Sequence, residues 1–238
     1  MKIFAIASKE IKAFFRGPMG CIVLTITISI FNVLFYCIVS DNKEATLRDV
    51  FQAMEFMFIF IVPLITMRLF AEEKMAGTME FLLTTPTKTS DFVLGKYLGS
   101  LLILVLLISV IPVYFLIMNA YGKVDVMAAW AGFLGIFLEG AFFMALGLLT
   151  SAWTRSHVVA ALCSYAILFL LYFSMIFASY LPAGFWQDGL KYFSTFSHLE
   201  NFSIGVISLG DILYYTAGIL VCLYLTRYHV DPRVIQKV

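Results

Sequence analysis

Carboxylates are the side chains best placed to do chemistry in this chain, and they occur in two settings. Glu72, Glu73 and Glu80 crowd into one polar stretch between long apolar runs. Glu139 is the only charged residue near the middle of an apolar run, and Asn32 is the main deep amide of another. A dense acidic cluster on an amphipathic segment suits docking to a soluble partner, and an ordinary solvated loop would read the same way. A carboxyl inside an apolar helix is either a tie between helices or a polar point on a path that cargo follows, with Asn32 and Glu139 as the candidates for that path. Held in the bilayer, Glu139 should face the protein interior and be neutral or hydrogen-bonded.

Other chemistries lack their residues. Serine, histidine and acid residues show no nucleophile–base–orienter spacing, and there is no HExxH. No GxxxxGK[ST] is present, so the chain has no loop of its own to cradle ATP phosphates. His157, His198 and His229 all fall at edges of apolar runs, where wet, partly exposed rings are expected. Cys21, Cys37, Cys163 and Cys222 form no CxxC pair, so neither a zinc site nor a disulfide framework is expected, and they read as small buried hydrophobes. No catalytic residue, metal site or bound cofactor is assigned to this chain.

The elements that must position the carboxylates follow from composition. Of 238 residues, 62% are apolar and only 13% charged, with a mean hydropathy of +0.95. A soluble domain is about 45–50% apolar and roughly 25% charged. Such an excess cannot hide in one soluble core, so the chain reads as an integral membrane protein. Sixteen basic residues against fifteen acidic ones leave no surplus to neutralise phosphates, which excludes a nucleic-acid binder.

A bilayer core of about 30 Å needs roughly 20 helical residues. Six runs qualify: Cys21 to Val39, Phe51 to Phe70, Tyr97 to Met118 with an extension back to Ser90, Met127 to Thr150, Val158 to Tyr180, and Ile212 to Thr226. The last is short and should begin near Gly210. Six spans put both termini on one side. Assigning each Lys and Arg to its loop gives 12 on the side of the termini and 4 on the other, so the termini are expected in the cytoplasm.

Before the first span, Ile3, Phe4, Ala7, Ile11, Phe14 and Phe15 recur at helical spacing, with Lys2, Lys9, Lys12 and Arg16 elsewhere. That pattern predicts an amphipathic helix on the inner membrane face rather than a cleaved signal. Gly17-Pro18 should break it and turn the chain into the first span. Between the second and third spans, Met75, Met79, Leu82 and Leu83 share a helical face, Gly77 is the expected bend and Pro86 the stop. Ser90 is placed to cap the next helix, with Asp91 in its first turn.

Arg68, Ala71, Glu72, Glu73, Gly77, Thr78, Glu80, Leu82, Leu83, Thr84, Pro86 and Gly95-Lys96 together resemble the signature of ABC-2 type permease subunits. They are most similar to the gliding-motility-associated branch, with nitrous-oxide-reductase maturation permeases as neighbours. A second stretch, His198 to Asp211, matches ahead of the last span. The resemblance covers essentially the whole chain and implies one transmembrane domain, residues 1–238. Within it, 1–16 is an interfacial helix, 71–90 a cytoplasmic coupling region and 181–209 a re-entrant helical region. The resemblance further implies an ABC ATPase partner that carries ATP and Mg, a second permease subunit in a homo- or heterodimer, and surrounding membrane lipid. The coupling residues carried over are Glu72, Glu73, Gly77, Thr78, Glu80, Leu82, Leu83 and Pro86. A bacterial inner-membrane exporter is the default expectation. A mechanical subunit that works on an extracytoplasmic partner, and a stand-alone channel or ion-coupled carrier, are the alternatives.

Overall fold

The computed structural model describes residues 2–42, 46–77, 88–122, 124–182 and 184–231. Among the described residues every regular element is a helix. In chain order they are α1 (Lys2–Arg16), α2 (Pro18–Asn42), α3 (Arg48–Thr66), α4 (Arg68–Met75), α5 (Thr89–Ile108), α6 (Ile111–Tyr121), α7 (Val126–Trp153), α8 (His157–Ser179), α9 (Phe185–Phe193), α10 (Thr195–Ser203) and α11 (Leu209–Val230). Six stretches are long and apolar enough to cross a membrane: Pro18–Ser40, Arg48–Met75, Thr89–Tyr121, Val126–Trp153, His157–Ser179 and Leu209–Val230. The chain is an all-α membrane protein, as its hydropathy pattern requires.

Local chemistry sets the ends. Gly17 separates α1 from α2, and Pro18 opens α2, where a missing backbone N–H costs nothing. The third apolar run is not one straight helix. Pro112 cannot donate to the turn before it, so the run breaks at Ser109-Val110 between α5 and α6. Asp125 caps α7 by accepting from the amides of Met127 and Ala128 at 2.9 and 3.3 Å. Ser208 caps α11 by accepting from the Gly210 amide, so this helix begins at Leu209. The expected Ser90 cap is not formed. α5 starts one residue earlier, with Lys88 in extended conformation ahead of it and Asp91 in its first turn.

α7 is the axis of the molecule. It packs against α3, α4, α5, α8, α10 and α11. Of its most apolar stretch 78% is buried inside the chain, against 17% for α2 and 22% for α11. The outer helices therefore leave most of their apolar side chains uncovered by the rest of the chain. Cys21 and Cys37 on α2 also face outward, so the expectation that all the cysteines are buried holds fully only for Cys222.

α1 does more than lie along a surface. It packs closely along α5, with Ala7 buried in the contact. A Cβ added at Gly95 would stand 2.7 Å from the Ile6 Cβ, so only glycine allows this approach. At the opposite end of the bundle lies the helix pair α9 and α10, within the expected 181–209 region. α10 buries Thr195, His198, Leu199, Phe202 and Ser203, whereas α9 buries none of its side chains.

Candidate functional site

α1, α4, α5 and the last turn of α7 meet at one end of the bundle, and Lys96 is the hub of that meeting. Its side chain is 1% exposed. The ammonium donates to Glu10 Oε1 at 2.8 Å and to the Leu69 carbonyl at 2.6 Å, and pairs with Glu73 Oε2 at 3.1 Å. The Phe70 and Phe92 rings lie 5.3 and 5.2 Å from it. Lys9 pairs with the other oxygen of Glu73 at 3.4 Å. One buried cation thus ties α1, α4 and α5 together, each partner carrying charge or a carbonyl dipole to offset its burial.

α4 is anchored to α7 in a second way. The first amides of a helix have no partner within it. Here the Phe70 and Ala71 amides donate to Ser151 Oγ at 3.0 and 3.1 Å, and the same hydroxyl donates to the Met67 carbonyl at 3.0 Å. Lys74 adds a short hydrogen bond to the Ala152 carbonyl. Ser151 is a cap supplied from another helix. α4 then ends at Met75, and Gly77 sits at φ +67°, the left-handed conformation that favours glycine and the bend its sequence position suggests.

The expected coupling residues divide by position. Glu73 spends its carboxylate inside the hub, whereas Glu72, beside it on α4, is exposed. Thr78, Glu80, Leu82, Leu83 and Pro86 lie outside the described residues, as does Met79 of the proposed apolar face. Lys96, Glu10 and Ser151 carry the geometry and were not singled out for it. The signal available was a lysine, beside Gly95, set several residues into a span with no acid on its own helical face.

Asn32 and Glu139 are not brought together. The Asn32 side-chain oxygen accepts from the Tyr114 hydroxyl at 2.9 Å, tying α2 to α6. Glu139 is wholly buried, and its neighbour is Glu55 on α3, equally buried. Glu139 is therefore not the sole carboxyl held within the spans. Glu55 escapes notice in the sequence because it lies only a few residues inside its apolar run.

His198 corrects the expectation of a wet ring. It is buried, with Nδ1 2.5 Å from Asp211 Oδ1 and Nε2 donating to the Tyr192 carbonyl at 2.9 Å. Both ring nitrogens face oxygen atoms of other residues. Asn201 donates to the other Asp211 oxygen at 3.0 Å, and the Tyr214 ring stacks on the imidazole at 4.0 Å. These contacts pin α10 to α11. His157 and His229 are half-buried at edges, as expected.

Among known protein families, the one described as ABC-2 family transporter protein matches residues 4–225. The match is to the family and does not support the gliding-motility branch. No curated protein matches the chain.

Proposed function

Because this chain belongs to the ABC-2 transporter family, whose members are membrane components rather than ATPases, we propose that it is the permease subunit of an ATP-driven exporter in a bacterial inner membrane. It pairs with a second permease subunit, identical or related, and docks a separate ATP-hydrolysing subunit at the end of the bundle where α1, α4 and α5 meet. Both termini lie in the cytoplasm. The chain binds neither ATP nor Mg itself.

The observation that carries this reading is the double anchoring of α4. Through Lys96 it is fixed to α1 and α5, and through Ser151 to α7. A displacement applied to α4 is therefore passed to the central helix through these contacts. Glu72 faces outward beside this anchor and is the docking carboxylate, while Glu73 holds the frame. Asn32 and Glu139 lie on or beside the cargo route as polar points within spans that are otherwise apolar.

Glu72→Lys tests the docking face without touching the hub. The variant should insert and fold normally, yet lose co-purification with the ATPase subunit from native membranes or lose coupling of hydrolysis to transport. Undiminished assembly and transport would reject Glu72 as a docking contact. Substrate-stimulated hydrolysis in reconstituted vesicles supports cargo export, and hydrolysis stimulated only by an extracytoplasmic protein supports the mechanical alternative.

A further inference from the structure

Glu55 and Glu139 form a buried pair that the coupling argument leaves unused. Both are fully buried, one on α3 and one on the central α7. The two carboxyls are neighbours, close enough to act on each other directly. Thr195 Oγ1 donates to Glu55 Oε1 at 3.4 Å. Among the described residues no protein donor reaches Glu55 Oε2 or either oxygen of Glu139, and neither carboxyl has an ion pair.

The surrounding groups cannot fill that gap. Among the described residues, Tyr172 on α8 and Tyr214 and Tyr215 on α11 are titratable side chains near enough to feel the pair's charge. Tyr214 donates to the Phe193 carbonyl at 2.8 Å and Tyr215 to the Thr195 carbonyl at 3.2 Å. Asp211 and His198 lie beyond these rings and satisfy each other. Two neighbouring buried carboxylates with no cation, and with only the Thr195 hydroxyl as donor, cannot both remain charged in a low-dielectric interior. One proton between them makes one carboxyl the donor and the other the acceptor, the arrangement that opposed carboxyls adopt elsewhere.

We propose that Glu55 and Glu139 are a proton-binding site whose shared proton latches α3 to α7 beneath the Ser194–Thr195 junction of the α9–α10 pair. Thr195 reads the state of the pair directly through Glu55, and the Ser194 hydroxyl beside it is buried without a partner, a second unsatisfied group at the same junction. When the proton passes to water at that end of the bundle, two adjacent carboxylates remain. Their repulsion and their demand for water open the contact between α3, α7 and α10. The proton is neither created nor consumed: it leaves one carboxyl oxygen and is taken up by water.

Infrared spectroscopy of the purified full chain in lipid nanodiscs across a pH series tests this directly. The wild type should show a protonated-carboxyl C=O band that shifts in D2O and disappears as pH rises. Amide-exchange protection of residues 194–203, corrected for intrinsic exchange, should fall over the same interval. Glu139→Gln supplies an amide donor in place of the proton, so it should stay folded, lack the band and show protection that no longer depends on pH. Glu55→Gln should do the same and serves if the first variant misfolds. No such band in the wild type, a band unaffected by both substitutions, or a band that persists to the alkaline limit of the folded protein would each overturn the proposal. A merely structural tie would leave protection independent of pH in wild type and variant alike, and that result also rejects it.

Discussion

At the scale of single residues, charge in this protein is scarce, and where it is buried it is held by named partners or by another carboxyl. Lys96 is the clearest case, because a buried ammonium is tolerable only while Glu10, Glu73 and the Leu69 carbonyl surround it. Lys96→Met removes the cation and leaves two shielded carboxylates close together. We expect a loss of about 3–5 kcal/mol, the range for breaking a buried pair by removing one partner, seen as a lower unfolding midpoint. Glu10→Gln in the same background should recover part of that loss, and strict additivity of the two changes would show that the hub does not act as a unit.

The residue scale was also the least legible from sequence. Glu139 could be found because a carboxyl deep in an apolar run is conspicuous. Its relation to Glu55 could not, since the two lie on different helices and pairing depends on which faces meet. His198 looked like an edge residue because its partner Asp211 sits on the next helix, beyond a turn. Glu72 and Glu73 are neighbours in sequence, yet the rotation of α4 sends one inward and one outward.

Elements were read more easily, because their signals are local. The amphipathic pattern of α1, the Gly17-Pro18 break and the six apolar runs all reappear as helices. The interruption between α5 and α6 was written in Pro112 but masked by unbroken hydropathy. What sequence could not supply was how α1 is held. Gly95→Val should destabilise the α1–α5 contact by about 1–3 kcal/mol, the usual cost of overpacking a tight site. The expected result is faster amide exchange and easier proteolysis confined to α1, with the spans intact. Unchanged exchange in α1 would mean that the close approach is not what fixes this helix.

For the molecule as a whole, basic residues among those described gather in two separate places on the bundle. Lys9, Lys74 and Lys96 gather where α1 and α4 meet, while Arg48 pairs with Glu200 beside the α10 end at 2.7 Å. The proposed orientation predicts that single cysteines at positions 9 and 191, in a background freed of the native cysteines, label from opposite faces of the membrane. Position 9 should react only from the cytoplasm. Labelling of both from the same side would undo the six-span topology, and the reverse pattern would undo the charge-based orientation.

The separation of Glu55 and Glu139 along the chain gives the carboxyl pair a history as well as a position. Ribosomes add about 5–20 residues per second, so α3 leaves the ribosome several seconds before α7 exists. During that interval Glu55 has no opposing carboxyl and faces either lipid or the lateral exit of the insertion machinery. A lone acid there costs about 2.5–3.5 kcal/mol near a helix centre and less toward a headgroup. Assembly is therefore biased: until the fourth span arrives, the second is favoured to ride toward the headgroups, where its acid costs less. Deleting Glu139 by Glu139→Leu would damage biogenesis of a helix synthesised much earlier, and the defect would surface as mis-insertion of α3 rather than of the helix that carries the change.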